Sequence, residues 1–304
     1  MEIFIDKNDD LKSAKGGVYA LGNFDGVHLG HKEIISNVIE ISRSKKIPSG
    51  VLIFDPHPRN YFNPKLDDFI LSDIKTRSYL LEKTKLDYLG ILKFDEAMSN
   101  LSPREFIEKV IKDRVGVSHL IVGYNFRFGK NREGNVNKLI KFEKKFNYKT
   151  VVTKIFKKKN KVVSSTKIRN MIKLGKVDRA SSFLGKFWCI RSIVIKGFKR
   201  GRLIGFPTCN MKIYNYTIPK LGVYSVKVEN RSFSKNGIAN VGYRPTFNGK
   251  NILLEVNIFG INKNLYKKEL SIHFKKFLRN EKKFKNIDEL KKQIKIDITK
   301  AKFI

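Results

Sequence analysis

Short apolar runs and helical stretches alternate along the first 184 residues, and near Gly185 that alternation stops. Val18 to Leu21, Val51 to Phe54, Leu89 to Leu92 and His119 to Val122 are apolar without polar interruption, the pattern of strands buried on both faces. Between them lie helical segments, Lys32 to Ser44 and Ile74 to Lys85. A third opens at Ser102-Pro103-Arg104-Glu105 and runs to about Val115, with Ser as N-cap, Pro in the first turn and Glu closing a capping box. Strands separated by helices in this way leave one class open, an α/β fold with a Rossmann-like doubly wound parallel sheet. After Gly185 the segments Cys189 to Lys196, Val223 to Val228, Gly237 to Val241, Leu253 to Phe259 and Leu270 to Phe277 follow one another without helices. They predict a small antiparallel β-barrel. One helix closes the chain, capped at Asn286 with Glu289 as capping-box partner and with Leu290, Ile294 and Ile298 on one face. The expected division is residues 1–184 and 185–304, and 304 residues suffice for two cores.

Charge argues for less than its size suggests. A formal net charge of +35 invites a nucleic-acid partner. Yet only 15 of the 63 cations are Arg, and the Lys are scattered through every helix and turn, whereas nucleic-acid surfaces concentrate basic residues with Arg prominent. Abundant Lys, Asn, Ile and Phe fit codon bias toward A and T, with weak anion steering as a second reading. No specific nucleic-acid partner is expected. The stretch Lys157 to Lys161 is expected to be a solvated charged loop. Two cysteines, Cys189 and Cys209, are too few for a disulfide framework. No apolar run approaches a membrane span, and the start MEIFIDKNDD lacks a signal-peptide pattern. A cytoplasmic protein without a membrane partner is expected.

The densest motif is Gly22-Asn23-Phe24-Asp25-Gly26-Val27-His28-Leu29-Gly30-His31, following the first apolar run and opening the first helix. Parallel sheets bind ligands beyond the carboxyl ends of their strands, where a helix N-terminus offers free N–H groups to an anion. Two histidines three residues apart can face a phosphate chain there. Attack on the α-phosphate of a nucleotide needs donors to developing charge rather than a protein nucleophile, and His28 and His31 suit that role. The segment resembles the signature of the HxGH nucleotidylyltransferases, which transfer nucleotidyl groups from ATP and release pyrophosphate. Three further segments narrow the resemblance: Phe54-Asp55-Pro56-His57-Pro58, the run Val122 to Gly134 containing Asn125, Arg127 and Phe128, and Ser164-Ser165-Thr166-Lys167-Ile168-Arg169. Hydroxyls and free amides at Ser164, Ser165 and Thr166, with Arg169 one turn on, make a second phosphate cradle. Together these segments resemble the adenylyltransferase half of the bacterial bifunctional riboflavin kinase/FAD synthetase family. The resemblance implies His28 and His31 as catalytic residues and ATP against Gly22, Phe24, Asp25, Gly30, Ser164, Ser165, Thr166 and Arg169. It implies FMN against Pro56, His57, Pro58, Asn125, Arg127 and Phe128, where aromatic rings can stack on an isoalloxazine. Asn125 stands where the family also shows Asp.

The second half carries a glycine-rich segment, Gly197 to Asn210, ending in Pro207-Thr208-Cys209-Asn210. Glycines at Gly197, Gly201 and Gly205, with Arg202 and Pro207, suit a loop whose backbone approaches phosphates, while Thr208 and Asn210, two apart on an extended segment, can ligate magnesium. Cys209 between them is expected to be a small filler on the opposite face. The segment lacks a Walker A ending and resembles instead the riboflavin kinase domain, a six-stranded barrel. Further matches are Pro219 to Tyr224, Asn240 to Phe247, Leu254 to Asn257 and Phe277 to Glu281. The resemblance casts Glu255 as general base for the riboflavin 5′-hydroxyl and Arg279 as a flavin-side residue. Departures from the family pattern are Asn257 where His is usual, Gly260 where an acid is common, and Lys267 where a turn usually has Gly. The expected substrates are ATP, riboflavin and FMN, the product FAD, and the metal Mg²⁺. An adenylyltransferase for another substrate, and a basic RNA-binding protein on an enzyme-like fold, stay open as alternatives.

Overall fold

The structure is a computed structural model that describes residues 1–5, 12–64, 68–197, 200–246, 249–261 and 263–304. Phe198, Lys199 and Phe247, quoted above within motifs, lie outside the described residues. The chain divides into two compact units, Met1–Leu66 with Ile74–Ser164, and Asp67–Asp73 with Ser165–Ile304.

The first unit holds a six-stranded sheet of β1 (Glu2–Ile5), β2 (Val18–Leu21), β3 (Ser49–Asp55), β4 (Tyr88–Lys93), β5 (His119–Gly123) and β6 (Lys149–Thr153). Its order is β1-β4-β3-β2-β5-β6, with every pairing parallel. Side chains alternate between two apolar layers because successive residues of a strand point to opposite faces. Val18, Ala20, Val51, Ile53 and Ile121 pack with α1 (Leu29–Lys45) and α3 (Ile74–Glu82) through Ile35, Val38 and Leu81. Tyr19, Leu21, Leu52, Leu120 and Val122 face Phe106, Ile107 and Val110 and, from α6 (Val136–Phe146), Leu139. The doubly wound sheet expected from sequence is thus observed. Between α1 and α3 lies the short α2 (Pro58–Phe62), and α4 (Glu96–Ser99) follows β4.

The expected capping box is present. Ser102 accepts from the Glu105 N–H and Glu105 from the Ser102 N–H, and α5 (Pro103–Glu105) continues as a π-helical stretch over Phe106–Val115. Lys157 to Lys161 is not a loop as expected. It forms a two-residue hairpin of β7 (Lys157–Lys158) and β8 (Lys161–Val162), with Lys159 and Asn160 at φ 47° and 60°. Two successive positive φ values are what a hairpin turn matched to strand twist demands.

The second unit opens with α7 (Ser165–Lys173) and α8 (Val177–Leu184). A closed antiparallel barrel follows, from β9 (Trp188–Ile195), β10 (Cys209–Lys212), β11 (Gly222–Glu229), β12 (Ser234–Thr246), β13 (Gly249–Ile258) and β14 (Glu269–Arg279), in the order β10-β13-β12-β11-β14-β9. The short α9 (Arg200–Leu203) lies between β9 and β10, and α10 (Ile287–Lys302) ends the chain. Ile294, Ile298 and Ala301 of α10 pack on Val223 and Ile238. Asn286 caps α10 as expected, but the Glu289 carboxylate accepts from the Lys285 N–H, one residue before the cap.

Residues 68–73 belong with the barrel because their carbonyls are taken by donors there. Phe69 accepts from the Arg169 Nε and the Thr217 hydroxyl, and Leu71 from the buried Trp188 indole.

Candidate functional sites

In the first unit the chain runs from β2 through β3 to β4 on one side and from β5 to β6 on the other, so the winding direction reverses between β2 and β5. Ligands of doubly wound sheets bind beyond the strand carboxyl ends at such a switch point. The Gly22 to His31 segment leaves β2 there. Its neighbours on the same edge are the Pro56-His57-Pro58 segment leaving β3 and the Tyr124 to Phe128 segment leaving β5.

His28 is the N-cap of α1, and its Nδ1 accepts from the His31 N–H at 3.1 Å. An accepting Nδ1 places the ring proton of a neutral imidazole on Nε2, which is therefore the donor edge. The two imidazoles stack with centroids 3.5 Å apart and 14° between planes. Gly30 makes room for this ring, since a Cβ there would stand 3.3 Å from His28 Nδ1. Phe24 and Val27 have φ of 48° and 41°, a left-handed backbone that costs a β-branched residue most. The turn is held by the Val27 N–H on the Phe24 carbonyl and by a buried ion pair between Asp25 and Arg77 of α3 at 3.6 Å. The Asn23 side-chain oxygen is buried and has no hydrogen-bond partner among the described residues. Such an acceptor fits a ligand donor.

His57 caps α2 by accepting from the Arg59 N–H, between Pro56, which follows a cis peptide bond, and Pro58 at the first helical turn. The Phe126 N–H closes a turn on the Gly123 carbonyl, leaving Asn125 and Arg127 exposed. A chain of ring contacts joins the two segments, from Phe62 and Tyr61 through Phe94, Phe54 and Phe106 to Phe128 and Phe126. This aromatic band brings the segments expected to flank a flavin into one cluster. Ser164 ends the first unit. Ser165 and Thr166 open α7 in the second, where buried Arg169 also lies over the Phe69 ring.

In the barrel, register lines up residues scattered over seventy positions of sequence. Asn210 of β10 is directly opposite Glu255 of β13, Glu255 opposite Asn240 of β12, Asn240 opposite Val223 of β11, and Val223 opposite Arg279 of β14. Directly opposed residues share a sheet face. Leu254, Val256 and Ile258 are buried and Glu255 and Asn257 partly exposed, so the row lies on the outer barrel face. At about 4.8 Å per strand, Glu255 is one strand spacing from Asn210 and, counted along the curved sheet, three strand spacings from Arg279. Cys209 opposes Val256 and so faces inward, as expected of a filler, and burial raises its thiol above the ordinary range.

Gly197 and Gly201 close over the Asn210 end. A Cβ at Gly197 would stand 2.7 Å from Asn210 Cγ, and one at Gly201 would meet the Phe206 carbonyl and lie 3.3 Å from Thr208 Oγ1. The turn continues through Arg202 and Gly205, whose N–H donates to the Arg202 carbonyl and whose φ is 87°. Thr208 and Asn210 offer neutral oxygen donors suited to a hard cation. Among the described residues no group of three or more His, Cys, Asp or Glu could hold a metal ion. Arg279 is paired with the buried Asp297 of α10, donating from Nε at 2.9 and 3.1 Å.

Sequence reasoning missed Arg77 and Asn240. Arg77 had a signal: it shares the apolar face of α3 with Ile74 and Leu81, where a cation calls for a buried anion. Asn240 opens one of the matched segments, but its place beside Glu255 depends on barrel register.

Residues 10–167 match the family described as FAD synthetase and residues 184–304 the family described as riboflavin kinase. The bifunctional riboflavin kinase/FMN adenylyltransferase of Haemophilus influenzae is 37% identical over 95% of this chain and 94% of its own. Its Bacillus subtilis counterpart is 36% identical over 97% and 93%, and that of Escherichia coli K12 33% over 93% and 91%. A solved structure from Streptococcus pneumoniae, described as a macrolide-efflux protein, superposes with a TM-score of 0.88 at 28% identity, covering 99% of this chain and 98% of its own. Among the described residues of this chain no helix is long and apolar enough to cross a membrane.

Proposed function

Since the chain belongs to the bifunctional riboflavin kinase/FMN adenylyltransferase family, phosphorylating riboflavin to FMN and adenylylating FMN to FAD, we propose how its own residues divide the two reactions. The division between residues 1–184 and 185–304 assigns adenylyl transfer to the first part and the kinase to the barrel.

In the kinase the cross-strand row carries the reading. Glu255 takes the proton of the riboflavin 5′-hydroxyl as that oxygen bonds the γ-phosphorus of ATP and ADP departs. Asn210 and Thr208, under Gly197 and Gly201, hold the phosphate end, and Arg279 lies toward the flavin end of the row. Magnesium, held by Thr208 and Asn210, would supply charge neutralisation on the phosphates. Loop N–H groups between Gly197 and Pro207, with Arg202, contact the nucleotide.

In adenylyl transfer an FMN phosphate oxygen bonds the α-phosphorus of ATP and pyrophosphate leaves. The stacked His28 and His31, at the N-terminus of α1, donate to the charge that develops there. Gly22, Phe24, Asp25 and Gly30 shape the nucleotide loop, with Asp25 fixed by Arg77. Ser164, Ser165, Thr166 and Arg169 are the second phosphate cradle. The aromatic band between Pro56-His57-Pro58 and Asn125-Arg127-Phe128 receives the isoalloxazine. The free thiols of Cys189 and Cys209 support a reducing compartment, as in the cytoplasm. Purified protein incubated with riboflavin, ATP and magnesium should yield FMN and then FAD by chromatography, and the absence of both would overturn this reading.

A further inference from the structure

Glu255 and Asn257 lie two apart on β13 and so share the outer face of the barrel. The Asn257 Nδ2 donates to the Pro207 carbonyl at 2.7 Å. The β10–β13 ladder begins at Cys209 opposite Val256, so Pro207 and Thr208 precede its first pair. Extending the register by one step puts Thr208 across from Asn257. Pro207 has no N–H to donate to a neighbouring strand, which leaves its carbonyl as the backbone group through which this turn can be tied to β13. On its other side the glycine-rich turn is closed upon itself, by the Phe206 N–H on the Gly201 carbonyl and the Gly205 N–H on the Arg202 carbonyl. Thr208 is itself exposed, so burial does not fix its position.

We propose that Asn257 is a positioning residue of the kinase reaction: by holding the Pro207 carbonyl it sets Thr208 against the strand that carries Glu255, and so registers the metal-nucleotide end of the site to its base. The proposal rests on the reading of Thr208 and Asn210 as that end. The side chain must donate, which sets a chemical rule for the position. An amide or an imidazole N–H can serve there, and a carboxylate, which only accepts at neutral pH, cannot.

Riboflavin phosphorylation is measured in the full-length protein at varied ATP and varied magnesium, for the wild type and for Asn257→Ala, Asn257→Asp, Asn257→His and Thr208→Ala. Losing one hydrogen bond from the turn should raise KM for ATP and the half-saturating magnesium about tenfold in Asn257→Ala, with kcat changed much less. Asn257→Asp should be at least as impaired. Asn257→His should return both values to within about threefold of wild type, and FMN adenylylation should be unchanged in all three Asn257 variants. A purely structural role would instead lower both activities or the unfolding temperature, without rescue by His. If Thr208→Ala is impaired while Asn257→Ala keeps wild-type KM values, or if Asn257→His is as poor as Asn257→Ala, the positioning role is overturned and the kinase site stands. If neither Thr208→Ala nor Asn257→Ala is impaired, the placement of the metal-nucleotide end falls as well.

Discussion

Replacing Gly197 by Ala tests the closest approach in the barrel site. The added Cβ would stand 2.7 Å from Asn210 Cγ, with the amide nitrogen nearer still, whereas ordinary contact begins at 3.4 Å. The Asn210 amide must therefore retreat by about 0.7 Å or more, or the Gly197 backbone must lift by as much. Asn210 is buried and sits between β9 and β13, so a displacement at its side chain shifts the oxygen proposed to bind magnesium. A misplacement near 1 Å costs about a hundredfold in rate, or about 2.7 kcal/mol of transition-state stabilisation. Steady-state assays of riboflavin phosphorylation should show kcat/KM down by about that factor, while FAD formation from supplied FMN stays at the wild-type rate. Retention of kinase activity within twofold would refute the reasoning, because the amide would then be free to move without consequence.

Two further outcomes follow from buried groups. Asp297→Ala removes the buried partner of Arg279 and of the Gln293 amide. The Arg279 side chain is 22% exposed, so the loss in urea unfolding should fall near the lower end of the about 3–5 kcal/mol expected for a broken buried pair; a change below about 1 kcal/mol would contradict it. Burial pushes the Cys189 thiol up to about 12, so at pH 8 only about one thiol in ten thousand is ionised. Cys189 is half-buried, so iodoacetamide should label it slowly in the folded protein and rapidly in urea, and equal rates would contradict the suppressed ionisation.

Apolar runs made the central strands legible, and β2 to β5 appear where continuous hydrophobicity placed them. The two outer strands did not announce themselves. Glu2, Ile3 and Ile5 of β1 are exposed, and Lys149-Thr150 of β6 is polar, because an edge strand needs less burial and is recruited by its neighbour. Helix α1 starts three residues earlier than periodicity suggested, since the His28 ring supplies an N-cap that propensity does not anticipate. In the first unit the motif residues lie close in sequence, so the His28–His31 pair could be read directly. In the barrel the chemistry depends on register. Asn210, Glu255, Asn240 and Arg279 become a row only when five strands pair in register, and the Asn257 to Pro207 bond spans fifty positions that no local pattern connects.

Flavin chromatography of two variants of the full-length protein shows whether two separate sets of residues carry the two reactions. His28→Ala combined with His31→Ala should accumulate FMN from riboflavin and make no FAD, and Glu255→Ala should leave riboflavin unconverted yet turn supplied FMN into FAD at the wild-type rate. Folded variants that each lose both activities, or a Glu255→Ala protein that still phosphorylates riboflavin, would contradict that division.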